Sequence, residues 1–294
     1  MKTKKPITDI IRERHSCRTY STRPVETDLM DQLKQFLAGS PAGPFGSRPR
    51  FELITATDQD RDALKDLGTY GLIKDPAGFI LSAVQQSPRE LEDLGYAMER
   101  NILYATDLGL GTCWLGGSFT RSTFAEKVSA GDDETLPAVA AVGHPAPNMR
   151  MVEKVMRWGA DAENRKPWKD LFFNNGFNAS LSPEDAGKWA QPLEMVRIAP
   201  SASNRQPWRI VLESQTRRFH FYLRRSKGYQ TRNKMLFGIS DLQRVDMGIA
   251  MCHFEMTCSE LGLSGKWSFG EPDIGSLPES TAYVASWQPS RQDI

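Results

Sequence analysis

The sequence has few of the features that mark membrane-spanning, secreted or nucleic-acid-binding proteins. Its 37 Lys and Arg residues nearly balance 36 Asp and Glu residues, and the net charge of +1 does not favour nucleic acid or an anionic membrane as a partner. No apolar run approaches the roughly 20 residues that a membrane-spanning helix needs. The basic start of the chain is not followed by an apolar stretch, so we expect no secretory signal and a cytoplasmic protein.

Cysteine is too sparse for a disulfide scaffold, since the chain has only four. Cys252 and Cys258 lie six residues apart on a predicted helix and therefore point about 120° away from each other. With His253 nearby, a metal site is one interpretation, but buried free thiols fit the pattern better. A Rossmann fingerprint is also missing, because Gly109-Leu110-Gly111 follows a predicted helix and lacks the third glycine.

The sequence does contain an internal repeat. Residues 93–114 align without a gap on residues 246–267, with Asp, Gly, Ala, Met, Leu, Gly, Leu and Trp at the same eight positions. Each copy predicts a long helix, over 88–109 and 240–262, that ends at a glycine able to adopt positive φ. Ser87 to Glu90 has the pattern of a capping box at the start of the first of these helices.

A weaker correspondence precedes the repeat. A predicted helix over 27–38 leads to a strand over 51–56, and a predicted helix over 183–198, with a break at Pro192, leads to a strand over 208–213. Further helices are predicted over 60–67, 120–128 and 154–158. We therefore predict an α+β protein built by tandem duplication, with a first copy over 1–145, a connecting arm over 146–180 and a second copy over 181–294.

Three segments carry candidate binding chemistry. Arg14, Ser16 and Arg18 would face one anion if the chain is extended there, although a solvated basic patch would look the same. Residues 199–208, Ala-Pro-Ser-Ala-Ser-Asn-Arg-Gln-Pro-Trp, form a polar turn before an apolar strand, either to reach a ligand or simply to connect a helix to a strand. Residues 108–117, Leu-Gly-Leu-Gly-Thr-Cys-Trp-Leu-Gly-Gly, allow close backbone approach to a ring, or only terminate a helix.

In combination these segments resemble the signatures of the FMN-dependent nitroreductase family, and most closely its fused tandem, TM-type subgroup. The resemblance implies a nitroreductase-like α+β fold with mixed central sheets flanked by helices. Ordinary members are homodimers with two interfacial FMN sites, each using segments from both subunits. Here two degenerate copies would form an intramolecular pseudo-dimer.

The resemblance also implies which residues hold FMN. Arg14, Ser16 and Arg18 would bind the phosphate, with Arg165 (or second, Lys166) closing over it. The loop residues and the turn backbone would approach the flavin ring, and Lys74 would stabilise negative charge on the reduced ring. The implied set is Arg14, Ser16, Arg18, Lys74, Leu115, Gly116, Gly117, Arg165, Pro200, Ser201 and Asn204.

The two copies have lost complementary parts of this pattern. In the first copy, the loop over 40–49 lacks the Asn and Trp of the signature. The second copy has the complete loop but no counterpart of Arg14 to Arg18, and its turn has changed to Ser264-Gly-Lys-Trp267. We therefore expect one FMN per chain, at the interface of the copies.

The implied activity is an NAD(P)H oxidoreductase that passes hydride from NADH or NADPH through flavin N5 to a small electron-poor acceptor such as a nitroaromatic or a quinone. No protein nucleophile is needed, and the sequence shows neither a catalytic triad nor a metal cluster. The alternatives are a flavin-binding or degenerate non-catalytic protein, or another flavin reaction such as reductive dehalogenation on the same scaffold. The expected assembly is a monomeric pseudo-dimer or a weak homo-oligomer.

Overall fold

The computed structural model describes residues 2–55, 71–116, 131, 133–147, 164–226 and 240–293. The helices in these ranges are α1 (Ile7–Glu13), α2 (Thr27–Ala38), α3 (Glu90–Asp107), α4 (Pro183–Ala186), α5 (Ala190–Arg197) and α6 (Leu242–Glu260). The strands are β1 (Arg50–Thr55), β2 (Gly78–Gln85), β3 (Gly111–Leu115), β4 (Glu134–Thr135), β5 (Val139–Gly143), β6 (Phe172–Asn174), β7 (Trp208–Glu213), β8 (Arg218–Arg224), β9 (Gly265–Ser268) and β10 (Thr281–Pro289). The predicted helices over 60–67, 120–128 and 154–158 lie outside the described residues.

The strands form two sheets with equivalent topology. The first has the order β1-β2-β5-β3, with the short β4 paired to β2, and the second has the order β7-β8-β10-β9 with β6 added beside β7. In each sheet, the first two strands are antiparallel neighbours and the last strand in the chain lies between the second and the third. The α+β class is therefore confirmed, and the equivalent strand orders agree with a duplicated unit.

β6 makes the second sheet mixed. It comes from the segment predicted as the connecting arm and pairs in parallel with β7, from Phe172 opposite Ile210 to Asn174 opposite Leu212. The sequence did not predict this three-residue strand, because its extended form depends on the partner strand. The copy boundaries at 145 and 180 remain predictions.

The two long helices α3 and α6 cross at a pair of equivalent glycines. A Cβ on Gly95 would overlap the carbonyl oxygen of Val245, and a Cβ on Gly248 would overlap the carbonyl oxygen of Glu92. Both glycines occupy the same position of the repeat, three residues into the alignment. The contact is thus the same surface used twice, as in a dimer with twofold symmetry.

The ends of these helices follow the prediction. Gly109 and Gly262 have φ of +82° and +72°, and the following leucines, Leu110 and Leu263, each donate a backbone hydrogen bond of 2.9 Å back into the helix. The start of α3 does not follow the prediction. The helix begins at Glu90 without a side-chain cap, because Ser87 Oγ instead contacts the hydroxyl of Ser47 at 3.0 Å.

The predicted break of the helix over 183–198 is also at a different residue. The chain bends at Gly187, where φ is +58°, between α4 and a single 3-10 turn. Pro192 lies in the first turn of α5, where its missing N–H is not needed for a helical hydrogen bond. The prediction at Pro192 was therefore wrong.

The hydrophobic core lies mainly between the sheets and the crossed helices. The larger part packs α5 and α6 against one face of the second sheet, with Trp189, Trp208, Phe221 and Phe254 fully buried. All four cysteines are buried, and none forms a disulfide. Among the described residues, no helix combines the length and apolar character needed to cross a membrane.

Candidate functional site

A buried carboxylate anchors Arg14 at the end of α1. Glu99 on α3 is fully buried, and its Oε1 lies 3.8 Å from Nε of Arg14. The same carboxylate is 2.9 Å from His253 Nε2 and accepts a hydrogen bond of 2.8 Å from Trp114 Nε1. His253 Nδ1 lies 2.9 Å from the carbonyl oxygen of Met195, which can only accept, so Nδ1 must carry a proton.

The charges in this group follow from the contacts. Burial acts to raise the pKa of Glu99, but His253, Arg14 and Trp114 together hold that pKa below its ordinary value. We therefore assign a carboxylate to Glu99. Burial lowers the pKa of Arg14, and the charge of Glu99 opposes this. Nε of Arg14 faces this carboxylate at 3.8 Å, which is too long for a hydrogen bond.

The segment from Arg14 to Arg18 runs along β3. Ser16 forms a parallel bridge with Thr112, and the Cys17 N–H donates to the carbonyl of Thr112 at 2.8 Å. Because β3 leads directly to Gly116, the structure brings the basic segment beside the glycine-rich turn. These two segments were predicted to serve one site.

The turn after β3 packs against the second copy. A Cβ on Gly116 would lie 2.6 Å from the side chain of Leu242, in the first turn of α6. Leu115 has a buried side chain, so it could offer only backbone atoms to a ligand. Gly117 lies outside the described residues.

Lys74 borders the basic segment through its backbone. Its N–H donates to the carbonyl of Arg18 at 2.9 Å, and its carbonyl accepts from the N–H of Tyr20 at 3.0 Å. The Lys74 side chain is 55% exposed and lies 4.0 Å from Asp75. Its role beside a flavin therefore stays a prediction.

The loop after α5 holds an unusual backbone conformation. Ser203, Asn204 and Gln206 have φ of +50°, +53° and +47°, in the left-handed region that non-glycine residues rarely adopt. The loop is tied internally, since Ser201 Oγ accepts from the Gln206 N–H at 2.8 Å. Pro200, Ser201 and Asn204 are all half-buried. Such strain is retained where the surrounding structure fixes it, which is common at ligand sites.

Asp246 on α6 holds this loop through a backbone hydrogen bond. Its Oδ1 accepts from the Ala202 N–H at 2.9 Å, and its Oδ2 has no hydrogen-bond partner in the described part of the chain. Burial raises the pKa of Asp246 well above its ordinary value. Its counterpart in the repeat, Asp93, accepts from the N–H groups of Phe45 and Ser47 at 2.8 and 2.7 Å. The recurring Asp thus holds the equivalent loop in each copy.

Arg165 binds the loop after α5. Its guanidinium donates to the carbonyl of Ile198 at 3.1 and 3.2 Å and to Oδ1 of Asn204 at 2.5 Å. Burial, together with the charges of Arg14 and Arg197, lowers the pKa of Arg165 to about 10. A half-buried guanidinium group thus lies beside Asn204.

The contacts connect some of the predicted site residues, and their role stays a prediction. Ser16 lies beside β3, which leads to Leu115 and Gly116, and Gly116 packs against α6, the helix that also holds the loop of Asn204. The Lys74 side chain points to the surface, and Gly117 lies outside the described residues. Arg18 and Pro200 are half-buried and adjoin these segments.

The symmetry-equivalent position on the other side of the pseudo-dimer is occupied by different residues. Counted from the aligned tryptophans, Gly116 corresponds to Phe269, whose ring lies 4.6 Å from that of Phe45 in the first-copy loop. Arg89 lies over the Phe45 ring at 5.6 Å. A cleft of about 720 Å³ remains there, lined partly by Arg48 and these three residues. Aromatic rings replace the glycine and the Asn that characterise the first place.

Sequence reasoning missed several residues of the first place. Glu99 and His253 hold Arg14 without belonging to a predicted binding motif, and their contact joins residues 154 positions apart. Trp114 belongs to the glycine-rich segment, but its hydrogen bond to Glu99 was not predicted. Asp246 and Leu242 support the loop and the turn. For Asp246 a signal existed, because it is one of the eight recurring residues of the repeat.

Comparisons with known proteins give a consistent result. The family model described as "Putative TM nitroreductase" matches residues 6–258. A search of curated proteins gives no significant match.

Among solved structures, a "putative nitroreductase" from Thermotoga maritima MSB8 is 18% identical, with a TM-score of 0.59, and the match covers 98% of this chain and 95% of that one. A "putative nitroreductase" in complex with FMN from Desulfovibrio desulfuricans is 24% identical over 52% of this chain and 96% of its own, with a TM-score of 0.40. An FMN-dependent nitroreductase from Clostridium difficile R20291 is 17% identical over 48% of this chain and 88% of its own, with a TM-score of 0.41. The first of these similarities shows the fold across the whole chain.

Proposed function

Because the chain belongs to the TM-type nitroreductase family, we propose that it is an FMN-dependent NAD(P)H oxidoreductase with one flavin site per chain. The fold is nitroreductase-like and the family is one of oxidoreductases. The observation that supports the proposal most strongly is that segments of both copies meet: Gly116 packs against Leu242 of α6, and Asp246 on the same helix holds the loop that carries Asn204 and binds Arg165.

The residues at this place fit FMN. Arg14, held by Glu99, and Arg165, bound to Asn204, offer guanidinium groups that suit a phosphate. Ser16 and Arg18 lie on the same segment. Asn204 and Ser201 offer amide and hydroxyl groups from a fixed loop, and the turn at Gly116, packed against Leu242, offers backbone groups. Lys74 and Gly117 complete the proposed set.

FMN bound here would supply the redox chemistry, a hydride transfer from NADH or NADPH through flavin N5 to an electron-poor acceptor such as a nitroaromatic or a quinone. The protein's own residues hold the FMN-binding segments in position and set the charge of the site. Glu99 and His253 fix the Arg14 guanidinium from behind, Asp246 fixes the loop that carries Asn204, and the packing of Gly116 on Leu242 fixes the turn. These supports come from both copies, so the fused chain completes the site without a partner subunit.

The proposal is tested by FMN affinity in two variants with a matched control. Arg14→Met and Asn204→Ala each remove a hydrogen-bonding group, and we expect the Kd for FMN to rise about 10- to 100-fold, since bonds to charged groups contribute about 1.5–3 kcal/mol. Arg12→Met is the control, because Arg12 lies on the same helix with an exposed side chain. The measurement is fluorescence titration of the flavin-free protein.

Two results would contradict the proposal. One is wild-type FMN affinity in both Arg14→Met and Asn204→Ala. The other is FMN-loaded protein that oxidises neither NADH nor NADPH with any nitroaromatic or quinone acceptor, which would favour a non-catalytic flavin-binding protein.

A further inference from the structure

A second group of cations lies on the other side of the loop from Arg165. Arg165 and Lys166 are neighbours in the chain, but their side chains go to different places. Arg165 reaches Ile198 and Asn204, whereas Lys166 Nζ lies 3.4 Å from the carbonyl oxygen of Gln206. The backbone N–H of Lys166 also donates to Oε1 of Gln206 at 2.7 Å. Gln206 therefore lies between the side chains of Arg165 and Lys166.

Arg209 on β7 approaches the same carbonyl oxygen. Its Nη1 donates to Gln206 O at 3.1 Å and to Trp208 O at 2.6 Å. One carbonyl oxygen is thus shared by a lysine ammonium and an arginine guanidinium. Cations that share an acceptor are close enough to repel each other strongly.

Arg209 also has a buried group left without a partner. The residue is 7% exposed, and its Nε has no hydrogen-bond partner within the described ranges. Leaving a buried donor unsatisfied costs about 1–3 kcal/mol, and more when the group is charged. An anion at this position would satisfy it.

The surrounding charge is positive. Burial, together with the charges of Arg209, Arg224 and Arg205, lowers the pKa of Lys166 to about 8. Burial likewise lowers the pKa of Arg209 to about 10, with Arg224 contributing. Asp170 is the acidic group that acts in the opposite direction on both, and it is exposed.

We propose that Lys166 and Arg209, with Arg205 and Arg224 at the rim, bind a phosphate group distinct from that of the flavin. A guanidinium fork beside a point charge matches a phosphate dianion better than a single carboxylate, and four cations can neutralise both of its charges. Two sources share this chemistry: the 2′-phosphate of NADPH, and free inorganic phosphate. The first rests on the proposed function, whereas binding of phosphate itself does not.

The NADPH source is favoured by position. Gln206 is two residues from Asn204, and Lys166 follows Arg165 directly. A dinucleotide with its nicotinamide ring at the flavin site could therefore extend past the loop to this cluster. NADPH would then be preferred over NADH because only NADPH carries the extra phosphate.

The test uses FMN-loaded protein, so that the flavin phosphate site is filled. Calorimetric titrations with 2′-AMP, 5′-AMP and inorganic phosphate are made on the wild type, on Lys166→Met and on Arg224→Ala. Lys169→Met is the matched control, since Lys169 lies in the same segment with an exposed side chain. KM for NADPH and for NADH is measured on the same four proteins.

We expect 2′-AMP to bind the wild type and the control, and to bind Lys166→Met at least about tenfold more weakly, which corresponds to about 1.4 kcal/mol. KM for NADPH should rise by a similar factor in Lys166→Met, while KM for NADH stays within about twofold. Arg224→Ala, whose side chain is exposed, should show the same change to a smaller degree and controls for misfolding of Lys166→Met.

The other outcomes separate the alternatives. Binding of inorganic phosphate that is lost in Lys166→Met, without a change in the NADPH to NADH ratio, supports the site with free phosphate as its ligand. The same loss in a protein that oxidises neither nicotinamide leaves the phosphate site standing and removes the proposed function. Failure of 2′-AMP and of phosphate to bind the wild type overturns the inference.

Discussion

At the scale of single residues, the candidate site depends on a few buried charged groups that come from distant parts of the chain. Arg14 lies 3.8 Å from the buried carboxylate of Glu99, and Arg165 binds Asn204. Oε1 of Glu99 in turn lies 2.9 Å from Nε2 of His253, a residue of the other copy. Breaking a buried pair leaves an uncompensated charge, so these residues should affect stability as well as flavin affinity.

Glu99→Gln should lower the free energy of unfolding by about 3–5 kcal/mol near pH 7, because it leaves Arg14 and His253 without their carboxylate. The pKa of Glu99 is lowered in the folded state from an ordinary value of 4.5. Its contribution is therefore fully present above that value and is lost as the pH falls through the lower folded pKa. Urea unfolding near pH 7 and at about pH 4 should show the gap between wild type and variant narrowing at the lower pH.

Glu255→Gln is the matched control for this prediction. Glu255 accepts from Trp267 Nε1 at 2.7 Å and from Tyr96 at 2.9 Å but is only half-buried. We expect a loss of about 1 kcal/mol, typical of a hydrogen bond without a buried ion pair. Equal losses in the two variants at both pH values would show that the charge on Glu99 is unimportant.

The two recurring aspartates give a second prediction at this scale. Asp93→Asn should cost about 1–3 kcal/mol, because both oxygens of Asp93 accept backbone hydrogen bonds and an amide can accept only on one side. Asp246→Asn should be neutral or stabilising, since Oδ2 of Asp246 has no such partner in the described ranges. Burial raises the pKa of Asp246, so its ionisation opposes folding increasingly as the pH rises from about 4.

Urea unfolding of Asp93→Asn and Asp246→Asn near pH 7 checks this contrast in stability. A larger loss of stability in Asp246→Asn than in Asp93→Asn would contradict the assignment.

Asp246→Ala should lose FMN affinity, because the Ala202 N–H then has no acceptor and the loop is less well fixed.

At the scale of secondary-structure elements, the sequence predicted what local chemistry determines. The helix ends at Gly109 and Gly262 follow from residues that tolerate positive φ, and the strands before and after the long helices follow from apolar runs. Two features depend on tertiary partners and were not predicted. β6 exists because β7 lies beside it, and the bend at Gly187 replaced the predicted break at Pro192.

The crossing of α3 and α6 could not be predicted from local sequence patterns either. Gly95 and Gly248 recur in the repeat, but only the packed helices show that each faces a carbonyl of the other helix. For the candidate site the limit was similar: the motifs indicated Arg14, Arg165 and Asn204, whereas the residues that support them became visible only in three dimensions.

Gly95→Ala and Gly248→Ala should each destabilise the protein by at least about 2 kcal/mol. Alanine favours an isolated helix by about 1 kcal/mol over glycine. Here the new Cβ would overlap backbone carbonyl oxygen atoms, so the helices must separate and lose packing along their contact. Gly270→Ala is the control, because a Cβ there meets open space. Thermal unfolding compares the three, and an unchanged or higher Tm in Gly95→Ala would contradict the crossing.

At the scale of the whole molecule, the two copies carry different residues at the two equivalent positions of the pseudo-dimer. One half supplies Arg14 and Gly116, and the other supplies the loop with Asn204. The opposite place carries Phe45 and Phe269 in contact, beneath Arg89. We infer that fusion of the copies allowed one site to be kept while the other changed, which separate identical subunits could not do.

The most direct test of this view is the number of flavins per chain. The freshly purified protein is examined by visible absorption, and the flavin is then released, identified and quantified against protein concentration. The one-site model predicts about one FMN per chain. Two FMN per chain would contradict the loss of the second site, and no FMN even after incubation with excess cofactor would contradict the flavin site itself.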